Sequence, residues 1–407
     1  MKKRLSLFAL LLAVVMVFAA CGSTDTKEPQ TTPDTTGQED TTDTSGDKMV
    51  VRLGAELPMT GPNAGQGEMY KVGMQVALNE IKAKGGLEHY EIEVIIEDDQ
   101  QDTATAMNVV NKLISNERAH VLTGPISSTI AMSTIDTIEA AKIPTMAPCW
   151  SPALTNSGFE YLTRLTPHDE TAANTLFEYL TQVKEYTRIA LLYVNTEQGI
   201  TGLDYGKAAL EKYGLDYVAT ATFTADDKDM SGQMLSIKQA DPEVIVIWGG
   251  SDADAAVALT QTKQLLGNEI PIYGSTILGQ PTMLSLVPEE YSEGLVYFTG
   301  WSPDSQTEES KKFVEEFKKL HSIGAAPSDV GARGYDAINV LAAALEKLDG
   351  YDVNAEDFSQ KLNEALHTVE YEGLQGSFKF QENGDGLDSC MLVQLQDGKH
   401  VPVWPEQ

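Results

Sequence analysis

Residues 121–133 read VLTGPISSTIAMS. A short apolar run ends at Gly124-Pro125, and the hydroxyls of Ser127 and Ser128 follow where a helix is expected to begin. That arrangement suits an anion, because the first N–H groups of a helix have no intrahelical acceptor and its N-terminus carries roughly half a positive charge. A carboxylate placed there gains N–H bonds and a hydroxyl donor without any basic side chain. Ser128 is the candidate for ligand contact, while Ser127 could simply cap the helix. A nucleophilic serine is the rival, and it would need a base and an oxyanion hole. GPISS is not a G-x-S-x-G elbow, and His89, His120, His168, His321, His367 and His400 sit in no catalytic motif, so an enzyme is not expected. In IEDDQQD, Asp98 and Asp99 read as a strand-end turn and Asp102 as a helix cap. ENGDGLD lacks the spacing of a calcium loop and reads as a Gly-rich hairpin turn. Besides Cys21 the chain has only Cys149 and Cys390, at no metal-like spacing, so neither metal nor cofactor is expected. A disulfide between these two stays open.

The elements that must position these residues alternate from residue 49 onward. MVVRLGAE, YEIEVIIED, HVLTG and IPTMAP read as strands, with helices at 67–84, 104–116 and after Ser127. A second series follows: a helix near Glu170, RIALLYV, a helix at 202–213, YVATATF, a helix at 230–239, VIVIWGG, a helix through Leu266, and IPIYGS. Alternating strands and helices imply parallel sheets covered on both faces, and two series imply two α/β lobes. GLVYFTGW (a strand), helices at 308–321 and 328–348, and a hairpin from GSFKF to CMLVQL complete these lobes without forming a third. In open parallel sheets ligands sit at the carboxyl ends of strands, so the loops after Gly54, Gly124, Met146, Val194, Gly249 and Gly274 are candidates.

Ahead of this body, Lys2, Lys3 and Arg4 precede the apolar run LSLFALLLAVVMVFAA, the pattern of a secretory leader too short for a membrane span. Ala19-Ala20 before Cys21 resembles the lipobox of bacterial lipoproteins, which implies a diacylated Cys21 and a membrane anchor. Residues 22–48 contain no large apolar residue and are expected to be a disordered tether, with a reach on the order of 30 Å. The formal charge is −31, or −34 once the three leader cations are removed, so nucleic acid is not an expected partner.

Several stretches occur in an order that resembles a known family: PMTGPNAGQGEMYKVGMQVALNEIKAKGGL, IEDDQQDTATA, VLTGPISS, IPTMAPCWSPALT, YDAINVLAAALEKL and GSFKFQENGDG. They are similar to the substrate-binding proteins of ABC importers of the branched-chain amino acid type, over residues 51–403. The resemblance implies the type I periplasmic-binding-protein fold, with two doubly wound parallel-sheet lobes joined by three crossovers, at 165–167, 297–300 and 371–376. Lobe one is then 49–166 plus 300–372, and lobe two 167–299 plus 373–407. It further implies a monomer that captures an amino acid or related small carboxylate and hands it to an ABC permease. Carried over by position, the first-lobe ligand residues are Ser128, with the Ser127 region, and Ser151 with Cys149 and Trp150. Aromatic positions of the family fall on Gln66, on Gln198 and on Ser251 or Asp252, and its acidic position falls near Thr276. These four positions are departures: amides and hydroxyls replace the rings and the carboxylate typical of leucine-like ligands. Trp150 could pack on the ligand or be a core residue, and Asp252 and Asp254 could meet an ammonium or cap a helix. A sensor of the same fold reporting to a receptor, and a tethered surface protein without a ligand, are the competing readings.

Overall fold

The computed structural model describes residues 48–405, so the leader, Cys21 and most of the tether lie outside the described residues. The first series forms β1 (Met49–Leu57), α1 (Ala64–Ala83), β2 (Tyr90–Asp98), α2 (Thr103–Ser115), β3 (Val121–Thr123), α3 (Ser128–Ala141), β4 (Thr145–Ala147), α4 (Ala153–Asn156) and β5 (Leu162–Arg164). The second forms α5 (Asp169–Glu178), β6 (Ile189–Val194), α6 (Glu197–Glu211), β7 (Ala219–Phe223), α7 (Ser231–Gln239), β8 (Val244–Trp248), α8 (Asp252–Leu266), β9 (Ile272–Gly274), α9 (Pro281–Ser285), α10 (Glu289–Ser292) and β10 (Val296–Thr299). The remainder supplies α11 (Glu308–Leu320), α12 (Asp329–Leu348), α13 (Phe358–Leu366), β11 (Glu370–Gly373), β12 (Gly376–Lys379), β13 (Met391–Gln396) and β14 (Lys399–Trp404).

Two sheets result. The first, ordered β2-β1-β3-β4-β5, is parallel throughout. The second is ordered β14-β13-β10-β9-β8-β6-β7, with β7 to β10 parallel and β13 and β14 antiparallel at one edge. Both therefore carry the same parallel core order, 2-1-3-4-5 in their own chain order, which reverses between the first and third strands. Such a reversal leaves a crevice at the strand carboxyl ends. The central strands are apolar on both faces, as VIVIW of β8 shows with every residue buried, because helices cover the sheet on both sides.

One core joins β1, α1, α11, α12 and α13, and it includes Phe378 and Leu387. Leu392 and Cys390 belong instead to a core built on β6, β8 and β10. The chain packs in the first of these cores as far as Leu387 and in the other from Cys390. The expected hairpin between GSFKF and CMLVQL is corrected. β12 pairs with β11, and β13 pairs with β10 and β14. The reason is packing: Phe378 fits the first core, and Asp336 of α12 accepts the backbone N–H groups of Leu374 (2.9 Å) and Gln375 (3.1 Å). The ENGDG stretch follows β12 but docks along β5, where Arg164 N–H donates to the Gly384 carbonyl (2.8 Å). Cys149 and Cys390 are separate buried thiols, so the disulfide is excluded.

Helices α1 and α12 approach closely because glycine faces backbone. A methyl group at Gly73 would land on the Gly331 carbonyl oxygen, and one at Gly334 on that of Tyr70. Gly73→Ala is therefore expected to cost about 1–3 kcal/mol of stability, as overpacking does in tight cores. A urea midpoint equal to that of the wild type would show that the two helices are not held at this crossing.

Candidate functional site

A cavity of about 370 Å³ lies between the two lobes, within the range of small-molecule sites. Its walls are the loops at the strand carboxyl ends, at the point where strand order reverses in each sheet. From the first lobe come the segment after β1 (Asn63, Gln66), the start of α3 (Ser127, Ser128) and Trp150. From the second come Thr196 and Gln198 at the start of α6, Gly250 and Ser251 before α8, and Thr276 after β9. Helices α1, α3, α6 and α8 all bring their N-terminal turns to this space, and those of α3 and α6 have no side-chain cap, so their first N–H groups make it a favourable place for negative charge.

Ser127 occupies the cap position of α3, but its side chain makes no capping hydrogen bond. Its place on the cavity wall is the finding, and the capping role is not. Ser128 is buried, lines the cavity, and its Oγ accepts the Ser151 N–H at 3.3 Å. In the second lobe the capping role is taken in full: Ser251 and Asp254 form a reciprocal capping box on α8. That consumes Asp254, which had been a candidate for an ammonium.

Contacts across the cleft hold the lobes together. Ser151 Oγ donates to Glu197 Oε1. Gln66 Nε2 donates to Asp252 Oδ1 at 3.3 Å, and the Asp252 N–H reaches Asn63 Oδ1 at 3.4 Å. Thr276 Oγ1 and Gln280 Nε2 both donate to Asp329 at 2.9 Å, and Asp329 is also ion-paired with Arg333. Each set centres on a buried or half-buried carboxylate. Burial pushes the Asp252 carboxyl up to about 7 against the lowering effect of the Gln66 bond. Burial likewise raises Glu197, opposed by the Ser151 hydroxyl. Close by, burial lifts Asp169 to about 7, with the Thr201 hydroxyl opposing it and the Glu197 charge adding to the rise.

Among the positions proposed from sequence, Gln66, Ser127, Ser128, Trp150, Gln198, Ser251 and Thr276 line the cavity. Three do not. Cys149 is fully buried with its Sγ donating to the Pro125 carbonyl (2.9 Å), Ser151 has its hydroxyl turned to Glu197, and Asp252 is held by Gln66 and Asn63 beside the wall. Trp150 lines the cavity, yet its ring is engaged by the core. Phe298 lies 5.2 Å away between centroids, and the Arg333 guanidinium sits over the ring at 5.5 Å. Sequence reasoning missed Asn63, Glu197, Gln280, Asp329 and Arg333. The last two had a signal, since an acid and an arginine four residues apart on a helix face each other.

The profile of the periplasmic binding protein family matches residues 50–399. A Leu/Ile/Val-binding protein homolog 7 from Brucella abortus is 27% identical over 380 residues, covering 88% of this chain and 92% of the relative. Among solved structures, the branched-chain amino acid transporter substrate-binding protein LivJ from Streptococcus pneumoniae, in complex with isoleucine, superposes with a TM-score of 0.77 at 22% identity, covering 88% of this chain and 100% of that one. A solute-binding protein of an ABC transporter from R. palustris, in complex with benzoate, gives 0.78 at 20% identity, covering 87% and 95%.

The raised carboxyls set a pH dependence. In the unfolded chain an aspartate titrates near about 4, while Asp169, Asp252 and Asp336 are held at about 7 in the fold. The folded state therefore binds more protons. Stability from these groups is complete below about pH 4 and is lost as pH rises through about 7. The melting temperature is expected to fall between about pH 5 and about pH 8, and Asp252→Asn should make that fall shallower. Identical pH slopes for the two proteins would remove Asp252 from this account.

Proposed function

The chain belongs to the periplasmic binding protein family, and from that premise we propose that it is the extracytoplasmic solute-binding component of an ABC importer, capturing an amino acid or related small carboxylate between its two lobes. Cys21, acylated, anchors it to the membrane in this reading, residues 22–48 form the tether, and the body works as a monomer beside its permease. We take lobe one as residues 49–166 with 300–387, and lobe two as 167–299 with 388–405.

The observation that carries the reading is the cavity at the strand carboxyl ends, walled by both lobes and faced by helix N-termini. Ser128 Oγ and the first N–H groups of α3 receive the solute's carboxylate. Isoleucine and benzoate, bound by the two structural relatives described above, have a carboxylate in common and little else. Gln66 from the first lobe, with Gln198 and Thr276 from the second, meet the rest of the solute, so a bound solute makes contacts that the open form lacks. That difference drives closure, and moving a two-state equilibrium from one side to the other takes about 5.5 kcal/mol of differential binding. Asp252, Glu197 and Asp329 contribute the lobe-to-lobe bonds that the closed state adds.

Isothermal titration with a panel of small carboxylates and matched solutes lacking the carboxylate tests the proposal. At least one carboxylate should bind, and Ser128→Ala should weaken it by about 10- to 100-fold, the worth of one hydrogen bond to a charged group. Binding confined to solutes without a carboxylate would remove the clamp.

A further inference from the structure

We propose that the solute carries, besides its carboxylate, an uncharged hydrogen-bonding group, an amide or a hydroxyl, which the Gln280 amide oxygen receives. This rests on the solute-binding reading above and names the solute class for the same cavity.

Amide side chains recur on the cavity wall. Gln66, Gln100, Gln101, Gln198 and Gln280 all line it. Gln280 is the most informative of them. It is 3% exposed, its Nε2 donates to Asp329 Oδ1 (2.9 Å) and to the Thr276 carbonyl (3.3 Å), and its Oε1 is buried with no partner among the described residues. Two acceptors on one side of the amide fix which atom is the oxygen, and that oxygen calls for an N–H or O–H from the solute. Gln66 repeats the pattern, with Nε2 given to Asp252 and Oε1 left to accept.

Aliphatic side chains share the wall, Ile126, Ile130, Val194, Ile277 and Val330 among them, and they suit the solute's carbon frame without contacting its polar group. Trp150 is the one aromatic side chain on the wall among the described residues, and its ring is already engaged by Phe298 and Arg333. A cationic end is poorly served. Asp254 is held in its capping box, Asp252 stands off the wall and accepts from Gln66 at one oxygen, and Asp329 is paired with Arg333. Asp226 stands exposed with Lys228 3.7 Å away. A buried amide oxygen selects by hydrogen bonding, and a site holding one rejects an isostere lacking the polar group far more strongly than an apolar wall rejects one methylene.

Matched pairs read this directly. The purified protein, freed of bound solute, is titrated calorimetrically with small carboxylates that include L-asparagine against L-leucine and L-threonine against L-valine. Each pair shares its α-carboxylate and α-ammonium and differs in polar against methyl groups at nearly equal shape. The polar members are expected to bind at least about tenfold more tightly. Gln280→Leu should narrow that gap. Because Gln280 also ties the lobes through Asp329, Gln198→Leu is the second variant, its amide holding no other part of the fold among the described residues. Aliphatic members binding as tightly as the polar ones, or more tightly, would overturn the inference while leaving solute capture intact. If no carboxylate in the panel binds, the solute-capture reading falls, and this inference with it.

Discussion

A full positive charge buried at the junction of the lobes constrains the molecule more than any other single interaction. Arg164, at the end of β5, is 0% exposed. Its guanidinium donates to the Ser151 carbonyl (2.8 Å) and pairs with Asp385, while its own backbone bonds Gly384 and Gly386 on the passing chain. Taking a guanidinium out of water costs several kcal/mol unless its partners are in place, and removing one partner of such a pair costs about 3–5 kcal/mol. Three distant stretches must therefore meet at one point: the loop carrying Trp150 and Ser151, the end of the first sheet, and the segment 384–386. The position of Ser151, and through it the contact with Glu197 across the cleft, follows from satisfying that charge.

The parallel strands were readable because their apolar runs are dictated by burial on both faces, and the alternation of strands with helices left few topologies to choose from. What the pattern could not specify was partnership. β12 and β13 are both short, and nothing in their residue pattern says that one pairs with β11 and the other with β10. Tertiary contacts decide, through Asp336 and Phe378. Helix α6 shows a second kind of illegibility. It begins at Glu197, ahead of the expected start at residue 202. Gly202 is the small residue that lets α6 lie on the Trp248 ring, where a Cβ would collide.

The site divides along the same line. Residues whose role follows from backbone geometry, Ser127 and Ser128 at a helix start, could be placed from local sequence. Residues whose role depends on what faces them could not. Asp254 and Ser251 share a box, and Asp252 looks out toward the opposite lobe, yet all three stand in one acidic run. Ser151 was placed on the wall by similarity, but its hydroxyl turns aside to the half-buried carboxylate of Glu197. Asn63 illustrates the limit well, since its carbonyl oxygen serves an N–H of α8 contributed from nearly two hundred residues away.

The strand order of the second sheet also bears on how the chain reaches its fold. β10 is flanked on one side by β13, a strand placed more than ninety residues later, and β13 in turn by β14. The first sheet waits similarly on α12 for the cover of one face. The first core needs residues up to Leu387 and the second needs Leu392, Val393 and Leu395, so neither is complete until nearly the whole body is made, and β10 meanwhile presents an open edge able to pair with other chains. Long-range closure of this kind slows folding. A chain so wired leaves the apolar faces of both sheets without their full cover until its last elements arrive.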